Sequence, residues 1–177
     1  PPHPPLHPAP IALNPLLIIE TLVNGHMEIV MIFFALLAIH LTLINRRFLS
    51  WVSLITSAAT KYMTVFLAPV LFKGAFWLRR SLWLGLILTT AWIIYYGFQP
   101  WYILWVLPFI YLLPINSWEI KLMTLFSFAA LFWNLPLVAS GDFNLPDPTS
   151  RLLIYVALPF AVFSTPLLIK FAYEKIH

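Results

Sequence analysis

The sequence predicts an all-α protein, a polytopic transmembrane helical bundle with short or broken helices. Of its 177 residues, 62% are hydrophobic and only 9% are charged, whereas a soluble domain carries about 25% charged residues. The mean hydropathy is +0.90. A transmembrane helix needs about 20 apolar residues, so this length allows about five to seven crossings or half-crossings.

The composition also excludes several kinds of site. The chain has no cysteine, so it forms no disulfide and no thiolate metal site. Its net charge of +4 comes from basic residues spread over short connections between apolar runs, which indicates membrane topology rather than nucleic-acid binding. The glycine-rich phosphate loop, the His-Glu-x-x-His motif and the Gly-x-Ser-x-Gly motif are all missing. We expect no cofactor, no metal and no nucleic-acid partner.

Residues 1–10, PPHPPLHPAP, contain six prolines and predict an extended proline-rich tail before a helical domain at 11–177. Two histidines in such a tail make a weak metal site. The chain begins with Pro1 and shows no basic and apolar leader, so we expect no signal peptide. We expect a processed or truncated chain, or a piece of a longer protein.

The segment 14–28, NPLLIIETLVNGHME, places polar side chains at the mouth of a long apolar run. Polar groups beside hydrocarbon cost free energy and usually face a water-filled cavity or a partner. On one continuous helix Glu20, Asn24 and Glu28 would share a face. Alternatively, Gly25 breaks the run into two helices with a polar turn. A third interpretation is a solvated loop with Asn24 as the N-cap of the next helix.

The run 27–44 predicts the first full span, and its basic end indicates the cytoplasmic side. The next run, 49–72, is interrupted by Lys61 and predicts either one crossing or a hairpin that turns near Thr60 and Lys61. The hairpin leaves only Lys61 and Arg151 outside, so the positive-inside rule favours it. It puts the other basic residues at the cytoplasmic side: Arg46, Arg47, Lys73, Arg79, Arg80, Lys121, Lys170 and Lys175. The tip of such a hairpin must be buried in protein or line a wet cavity.

Lys61 is the most informative charge. It either snorkels to an interface or binds an anion, and its expected partners are a phosphate, Glu20 or Glu28. The aromatic segment 95–102 is typical of an interfacial belt, although the same residues suit a stacking platform for a sugar or a lipid.

The rest of the chain predicts further spans or half-spans separated by connections. The last run should be kinked at Pro159 and Pro166. Segment 140–150, SGDFNLPDPTS, predicts a solvated loop. The four apolar runs are 82–96, 101–113, 120–139 and 151–173.

Three segments together resemble the bacterial polyprenyl-phosphate-dependent mannosyltransferases. Asn14-Pro15-Leu16 through Glu20 and Asn24-Gly25-His26 are similar to that family's NP-leucine, E, NGH-N-D segment. Thr60-Lys61-Tyr62 with Leu67-Ala68-Pro69 looks like its KY and LP segment. Phe98 to Trp105, FQPWYILW, looks like its PWY-x-x-W segment. The resemblance covers about residues 14–108.

The resemblance implies a GT-C membrane glycosyltransferase of the bacterial plasma membrane, with its active site at the extracytoplasmic face. Such enzymes transfer a sugar, often mannose, from a polyprenyl-phosphate donor to a lipid-linked or glycan acceptor. This chain resembles only the C-terminal half of the family and lacks the amino-terminal loop that carries the family's general base. Met27 and Glu28 stand where the family has Asn and Asp, and Met27 cannot replace an amide.

The resemblance also implies roles for individual residues. Glu28 and His26 are the catalytic candidates. We expect Glu20, Asn24, His26, Glu28, Lys61 and Gln99 to converge on one extracytoplasmic cavity. The substrate-binding candidates are Glu20, Asn24, Lys61, Tyr62, Gln99, Trp101 and Tyr102.

Two other functions remain open. The chain can be a non-catalytic membrane subunit that packs its helices against membrane protein partners in a larger complex. It can also be a transporter with Lys61, Glu20 and Glu28 along an ion path, although the paired repeats typical of transporters are missing from the sequence.

Overall fold

The computed structural model describes residues 13–25, 27–114, 118–140 and 147–176. All regular secondary structure in these ranges is helical, which confirms the all-α prediction. The proline-rich segment 1–10 lies outside the described residues.

The described residues form eight helical segments, several of which change pitch along their length. Helix α1 ends in a π-helical turn, Ile19–Val23, whereas α4 and α6 begin as 3-10 helices. The segments are α1 (Pro15–Val23), α2 (Glu28–Leu43), α3 (Arg47–Thr60), α4 (Tyr62–Lys73), α5 (Leu78–Tyr96, directly preceded by a 3-10 turn at Ala75–Trp77), α6 (Pro100–Ile110), α7 (118–140) and α8 (148–176).

Helices α1 and α2 are separated by a sharp turn. Gly25 has φ +65°, a conformation that favours glycine. The direction of the chain bends by 119° between the two helices. Glu28 therefore does not continue the helix of Glu20 and Asn24, so the single-helix interpretation is wrong. The capping interpretation is also wrong, since Met27 occupies the N-cap of α2 and the Asn24 amide donates to Glu20 instead, at 3.0 Å.

Helices α2 and α3 form an antiparallel hairpin. Asn45, with φ +61°, lies in the turn between them. Two buried serines of α3 donate to carbonyls of α2: Ser50 to Ala38 and Ser57 to Met31, each at 2.7 Å. Small side chains at this contact let the two backbones approach closely.

The chain reverses again at Lys61, which is extended, with φ −151° and ψ +122°. On either side of the reversal, the Ser57 and Thr64 hydroxyls are hydrogen-bonded at 2.9 Å. Farther away, the rings of Trp51 and Phe72 lie 4.6 Å apart. The predicted hairpin across residues 49–72 is therefore confirmed.

Helix α4 packs against α5 and α6 through Phe66. This ring covers Gly85 of α5 so closely that a Cβ there would lie 2.9 Å from it. Phe66 also contacts Phe109 of α6, with ring centroids 5.8 Å apart. Both rings are fully buried, so α6 lies in the core of the helical bundle.

The final helix starts earlier than the sequence predicted. Within the predicted loop 140–150, Asp147 caps α8 by accepting the N–H groups of Thr149 and Ser150 at 3.0 and 3.1 Å. Bonds from the Ser150 hydroxyl and these N–H groups hold the pKa of Asp147 below its ordinary value. Residues 141–146 lie outside the described ranges.

Of the two kinks predicted in α8, the structure shows a backbone irregularity just before Pro159. Its backbone switches to a π-helical turn at Leu153–Ala157, just before Pro159. Because Pro159 has no N–H to donate to the preceding turn, the regular hydrogen-bond ladder cannot run through it unchanged. Pro166 is accommodated inside the helix that follows, Leu158–Ile176.

The cations divide between the two ends of the bundle. The contact of Trp51 with Phe72 places the α2–α3 turn and the α4–α5 turn at the same end of the bundle. The salt bridge between Arg79 and Glu119, 3.2 Å long, shows that α7 also begins at this end. We call this the basic end; it carries Arg46, Arg47, Lys73, Arg79, Arg80 and Lys121. Lys61 lies at the opposite end.

Arg151 belongs to the Lys61 end. Its Nε donates to the carbonyl of Trp133 at 2.9 Å, and its guanidinium lies 4.2 Å from that ring centroid. Trp133 in turn contacts Phe98, just after α5, with centroids 5.0 Å apart. The division of charge predicted from the hairpin is therefore confirmed for these cations. The side chains of Lys170 and Lys175 lie outside what the structure describes.

Among the described residues, no single helix has both the length and the apolar composition needed to cross a bilayer. The bent pair of α1 and α2 meets both requirements when its two helices are taken together.

Candidate functional site

The candidate site is centred on an ion pair between Lys61 and Glu28. Glu28 is the first residue of α2 and its side chain is fully buried. Its carboxylate also lies at a helix N-terminus, where the helix dipole favours negative charge. Lys61 ends α3, and 31% of its side chain is exposed. The two reversals of the chain, at Gly25 and at Lys61, thus bring a buried carboxylate and a partly exposed ammonium into contact.

Trp105 supports the lysine from α6. The Lys61 ammonium lies 5.7 Å from the centroid of the Trp105 ring, within the range of a cation–π interaction. Trp105 itself is buried. Lys61 is therefore held between a carboxylate and an indole, while its exposed part remains accessible to an anion.

A cluster of rings extends from this point, and we call it the aromatic wall: Tyr62, Trp92, Tyr96, Tyr102 and Trp105. Trp92 is its centre, with ring centroids 5.3 Å from Tyr62, 4.1 Å from Tyr96 and 6.1 Å from Trp105. Tyr102 lies 4.6 Å from Trp105. The wall joins α4, α5 and α6 beside the ion pair.

Two polar groups of the wall are buried without a hydrogen bond. Within the described part of the chain, the indole N–H groups of Trp92 and Trp105 have no acceptor. Buried donors are normally paired, so each of these groups needs an explanation. Both groups are shielded from solvent where α5 packs against α6.

An open groove of about 570 Å³ runs along the wall between α4 and α5. Its lining is aromatic and aliphatic: Tyr62, Met63, Val65, Leu88, Ala91, Trp92, Tyr95 and Tyr96. Because Tyr62 directly follows Lys61, the groove lies next to the ion pair. This arrangement puts an apolar surface and a cation side by side.

The structure brings together five of the residues predicted for the site. Lys61 contacts Glu28, Tyr62 and Tyr102 belong to the wall, and Trp101 contacts Tyr102 with centroids 5.9 Å apart.

The predicted convergence is incomplete for the other residues. The carboxylate that Lys61 contacts among the described residues is Glu28 and not Glu20. Glu20 is buried and accepts from Asn24 within the same helix. Gln99 is half-buried before α6, where its backbone carbonyl accepts from the Tyr102 N–H at 3.1 Å. His26 lies outside the described residues.

Sequence reasoning missed Trp92 and Trp105 as site residues. Trp105 stood in a quoted motif, and its spacing from Trp101 and Tyr102 places all three rings near one face of a helical turn. Trp92 carried no such signal, because an aromatic residue in an apolar run is equally suited to face lipid. The structure describes no cluster of three or more His, Asp or Glu side chains that would hold a metal ion.

Compared with models of protein families, with curated proteins and with solved structures, this chain matches none.

Proposed function

We propose that this chain is a membrane-embedded glycosyltransferase, or the C-terminal part of one, that transfers a sugar from a polyprenyl-phosphate donor. Mannose is the sugar we expect. The observation that carries the proposal is the ion pair of Lys61 and Glu28 at the edge of an apolar aromatic groove.

Embedding in the membrane is supported by the outer surface. Large apolar side chains are exposed on several helices, among them Phe33 on α2, Ile55 on α3, Ile87 and Ile94 on α5, and Leu158 on α8. Soluble monomers rarely expose apolar patches on this scale. Contact with lipid removes the free-energy cost of exposing such an apolar surface to water.

The distribution of charge supports an orientation. Cytoplasmic loops of membrane proteins carry an excess of lysine and arginine. The basic end of this bundle would therefore face the cytoplasm, and the site at Lys61 would face the opposite side of the bacterial plasma membrane. A donor whose sugar is presented outside the cytoplasm fits that placement.

The donor itself fits the order of groups along the site. A polyprenyl-phosphate sugar has an apolar chain, then a phosphate, then a sugar ring. The groove offers apolar surface to the isoprenoid, and Lys61 offers positive charge to the phosphate. Trp101 and Tyr102 offer ring faces on which a sugar can stack.

The reaction needs charge at two points. As the bond between the anomeric carbon and the phosphate oxygen breaks, negative charge grows on the departing phosphate, and Lys61 stabilises it. As the acceptor oxygen bonds to the anomeric carbon, its proton passes to a base. Glu28 can accept that proton once the donor phosphate has drawn Lys61 away from the carboxylate.

The test is sugar transfer in membranes that contain the protein encoded by the complete reading frame. Labelled polyprenyl-phosphate mannose is the donor. We expect Lys61→Met to weaken donor binding by at least about tenfold, the loss typical of a charge-assisted hydrogen bond. We expect Glu28→Gln to keep donor binding and to reduce transfer by at least about 100-fold. Lys121→Met, an exposed lysine at the basic end, is the matched control and should leave both unchanged.

A specific observation also favours the non-catalytic alternative. A fully buried carboxylate paired with lysine is equally suited to hold two helix ends together. In a packing subunit, the wild-type protein would transfer no sugar, and both variants would change only its stability and its association with membrane partners. That result would refute the transferase assignment.

A further inference from the structure

A second groove lies at the basic end, at the opposite end of the bundle from Lys61. It has a volume of about 400 Å³ and runs beside the α4–α5 turn. Its wall is apolar and aromatic, with one cation at its edge. The lining residues are Ala68, Pro69, Phe72, Lys73 and Trp77.

Two of the cations beside this groove are not neutralised. Arg79 pairs with Glu119. In the part of the chain that the structure describes, neither Lys73 nor Arg80 contacts a carboxylate. Both side chains are exposed, so the edge of the groove carries two positive charges that are available to an anion.

Arg80 is held in position by the groove's own aromatic residues. Its guanidinium lies 4.6 Å from the Trp77 ring centroid and 5.5 Å from that of Phe76. Trp77 lines the groove, so the exposed Arg80 guanidinium is held next to the apolar wall. Arg79 and Arg80 also lie in the first turn of α5, where the helix dipole disfavours positive charge. The two arginines therefore do not contribute to the stability of α5 through its helix dipole.

We propose that this groove binds one anionic glycerophospholipid. An acyl chain lies along Phe72 and Trp77, and the phosphate is held by Lys73 and Arg80. Complementarity of charge and of apolar surface identifies this occupant. Basic pockets between membrane helices on the cytoplasmic side bind anionic headgroups, and that leaflet attracts basic segments. The inference rests on the membrane embedding in the proposed function, but not on sugar transfer.

The test measures retained lipid by native mass spectrometry on the purified full chain, after incorporation into nanodiscs of mixed phosphatidylglycerol and phosphatidylcholine. The wild-type protein should retain phosphatidylglycerol in preference to phosphatidylcholine. Lys73→Gln with Arg80→Gln should weaken that retention by about 30-fold, since each cation near the surface contributes about fivefold. Lys73→Arg with Arg80→Lys keeps both charges and should preserve most of the preference.

Arg46→Gln with Arg47→Gln is the matched control, because it removes two cations from the same end, neither of which lines the groove. We expect its retention of phosphatidylglycerol to stay within about twofold of the wild type. Equal loss in this control would show general surface attraction, and equal retention of both lipids by the wild type would show no headgroup selectivity. Either result would overturn the proposed site.

Two further measurements keep the outcomes separate. Soluble glycerol phosphate should not displace the lipid, since the acyl chain is part of the recognition; displacement would mean a free-phosphate site instead. Flotation with vesicles of pure phosphatidylcholine reports embedding independently of headgroup choice. A chain that fails to float overturns the membrane assignment on which the lipid site depends, whereas a chain that floats without selectivity overturns the lipid site alone.

Discussion

Replacing Lys61 with methionine is the most direct test of the ion pair. The substitution keeps most of the side-chain length and takes the ammonium away from a carboxylate that is fully buried. Breaking a buried ion pair by removing one partner costs about 3–5 kcal/mol. Because 31% of the Lys61 side chain is exposed, water screens the interaction. We therefore expect a smaller loss, about 2–3 kcal/mol.

The double variant Lys61→Met with Glu28→Gln should recover most of that loss. It removes both charges while keeping similar volumes, so no uncompensated charge remains buried. We expect it to lie within about 1 kcal/mol of the wild-type protein. The coupling between the two residues is the loss in the double variant minus the sum of the losses in the two single variants, Lys61→Met and Glu28→Gln.

The assay is thermal unfolding in nanodiscs at a fixed scan rate, followed by tryptophan fluorescence. For a chain of this size, 1 kcal/mol changes Tm by about 2–4 °C, so Lys61→Met should lower Tm by about 4–12 °C. Lys121→Met should leave Tm within about 2 °C. An unchanged Tm in Lys61→Met, or a double variant whose loss equals the sum of the two single losses, would refute the buried ion pair.

Three further predictions follow from the packing and the helix cap. Gly85→Ala should destabilise the protein by about 1–3 kcal/mol, because the new methyl group meets the Phe66 ring; an unchanged Tm would contradict that contact. Ser57→Ala should lose about 1 kcal/mol with its bond to Met31, measured in the same assay. Because the pKa of Asp147 is lower in the folded state, its ionised carboxylate stabilises the fold at pH values above the unfolded-state pKa of about 3.9. This contribution is lost as pH falls through the lower folded-state pKa. Asp147→Asn, which also caps helices, should therefore remove part of the acid sensitivity of Tm below about pH 4 without lowering Tm at neutral pH.

The reversals of the chain were predictable because they depend on local chemistry. Gly25 is the residue that most readily adopts a positive φ, and Lys61 is a charge within an otherwise apolar run. The positive-inside rule then selected the hairpin over the single crossing. These features need no knowledge of distant contacts, and the structure bears them out at both positions.

The composition of the site was less predictable because it depends on helix rotation. In an apolar helix all faces are hydrophobic, so the periodicity of hydrophobic residues in the sequence does not show which aromatic residue faces a neighbouring helix. Trp92 faces Trp105 only because α5 packs against α6 in one particular rotation. The choice of Glu28 over Glu20 as the partner of Lys61 has a similar origin, since it depends on how far the chain turns at Gly25.

The hydrogen-bond network around Asn14 was likewise not predictable from the sequence. Its amide donates to Ser127 at 2.8 Å and to the Tyr111 hydroxyl at 3.2 Å, across about 100 residues of sequence. Its carbonyl oxygen accepts from the backbone of Leu16 and caps α1. A capping residue was foreseeable from the Asn-Pro pair, but not its bonds to α7 and to the turn after α6. This buried network fixes α1 against the rest of the bundle, and therefore fixes where α2 begins.

The position of Glu28 then has a consequence for the proposed chemistry. The Glu28 carboxylate is fully buried and in contact with the Lys61 ammonium, so an acceptor hydroxyl cannot reach it while the pair is intact. An arriving phosphate competes for the same ammonium, since only the exposed side of Lys61 is open to a ligand. Donor binding would thus weaken the pair and free the Glu28 carboxylate at the moment when an acceptor hydroxyl needs deprotonation. In this scheme the ion pair keeps the base inactive until the donor is bound, which gives a physical reason for donor to bind before acceptor.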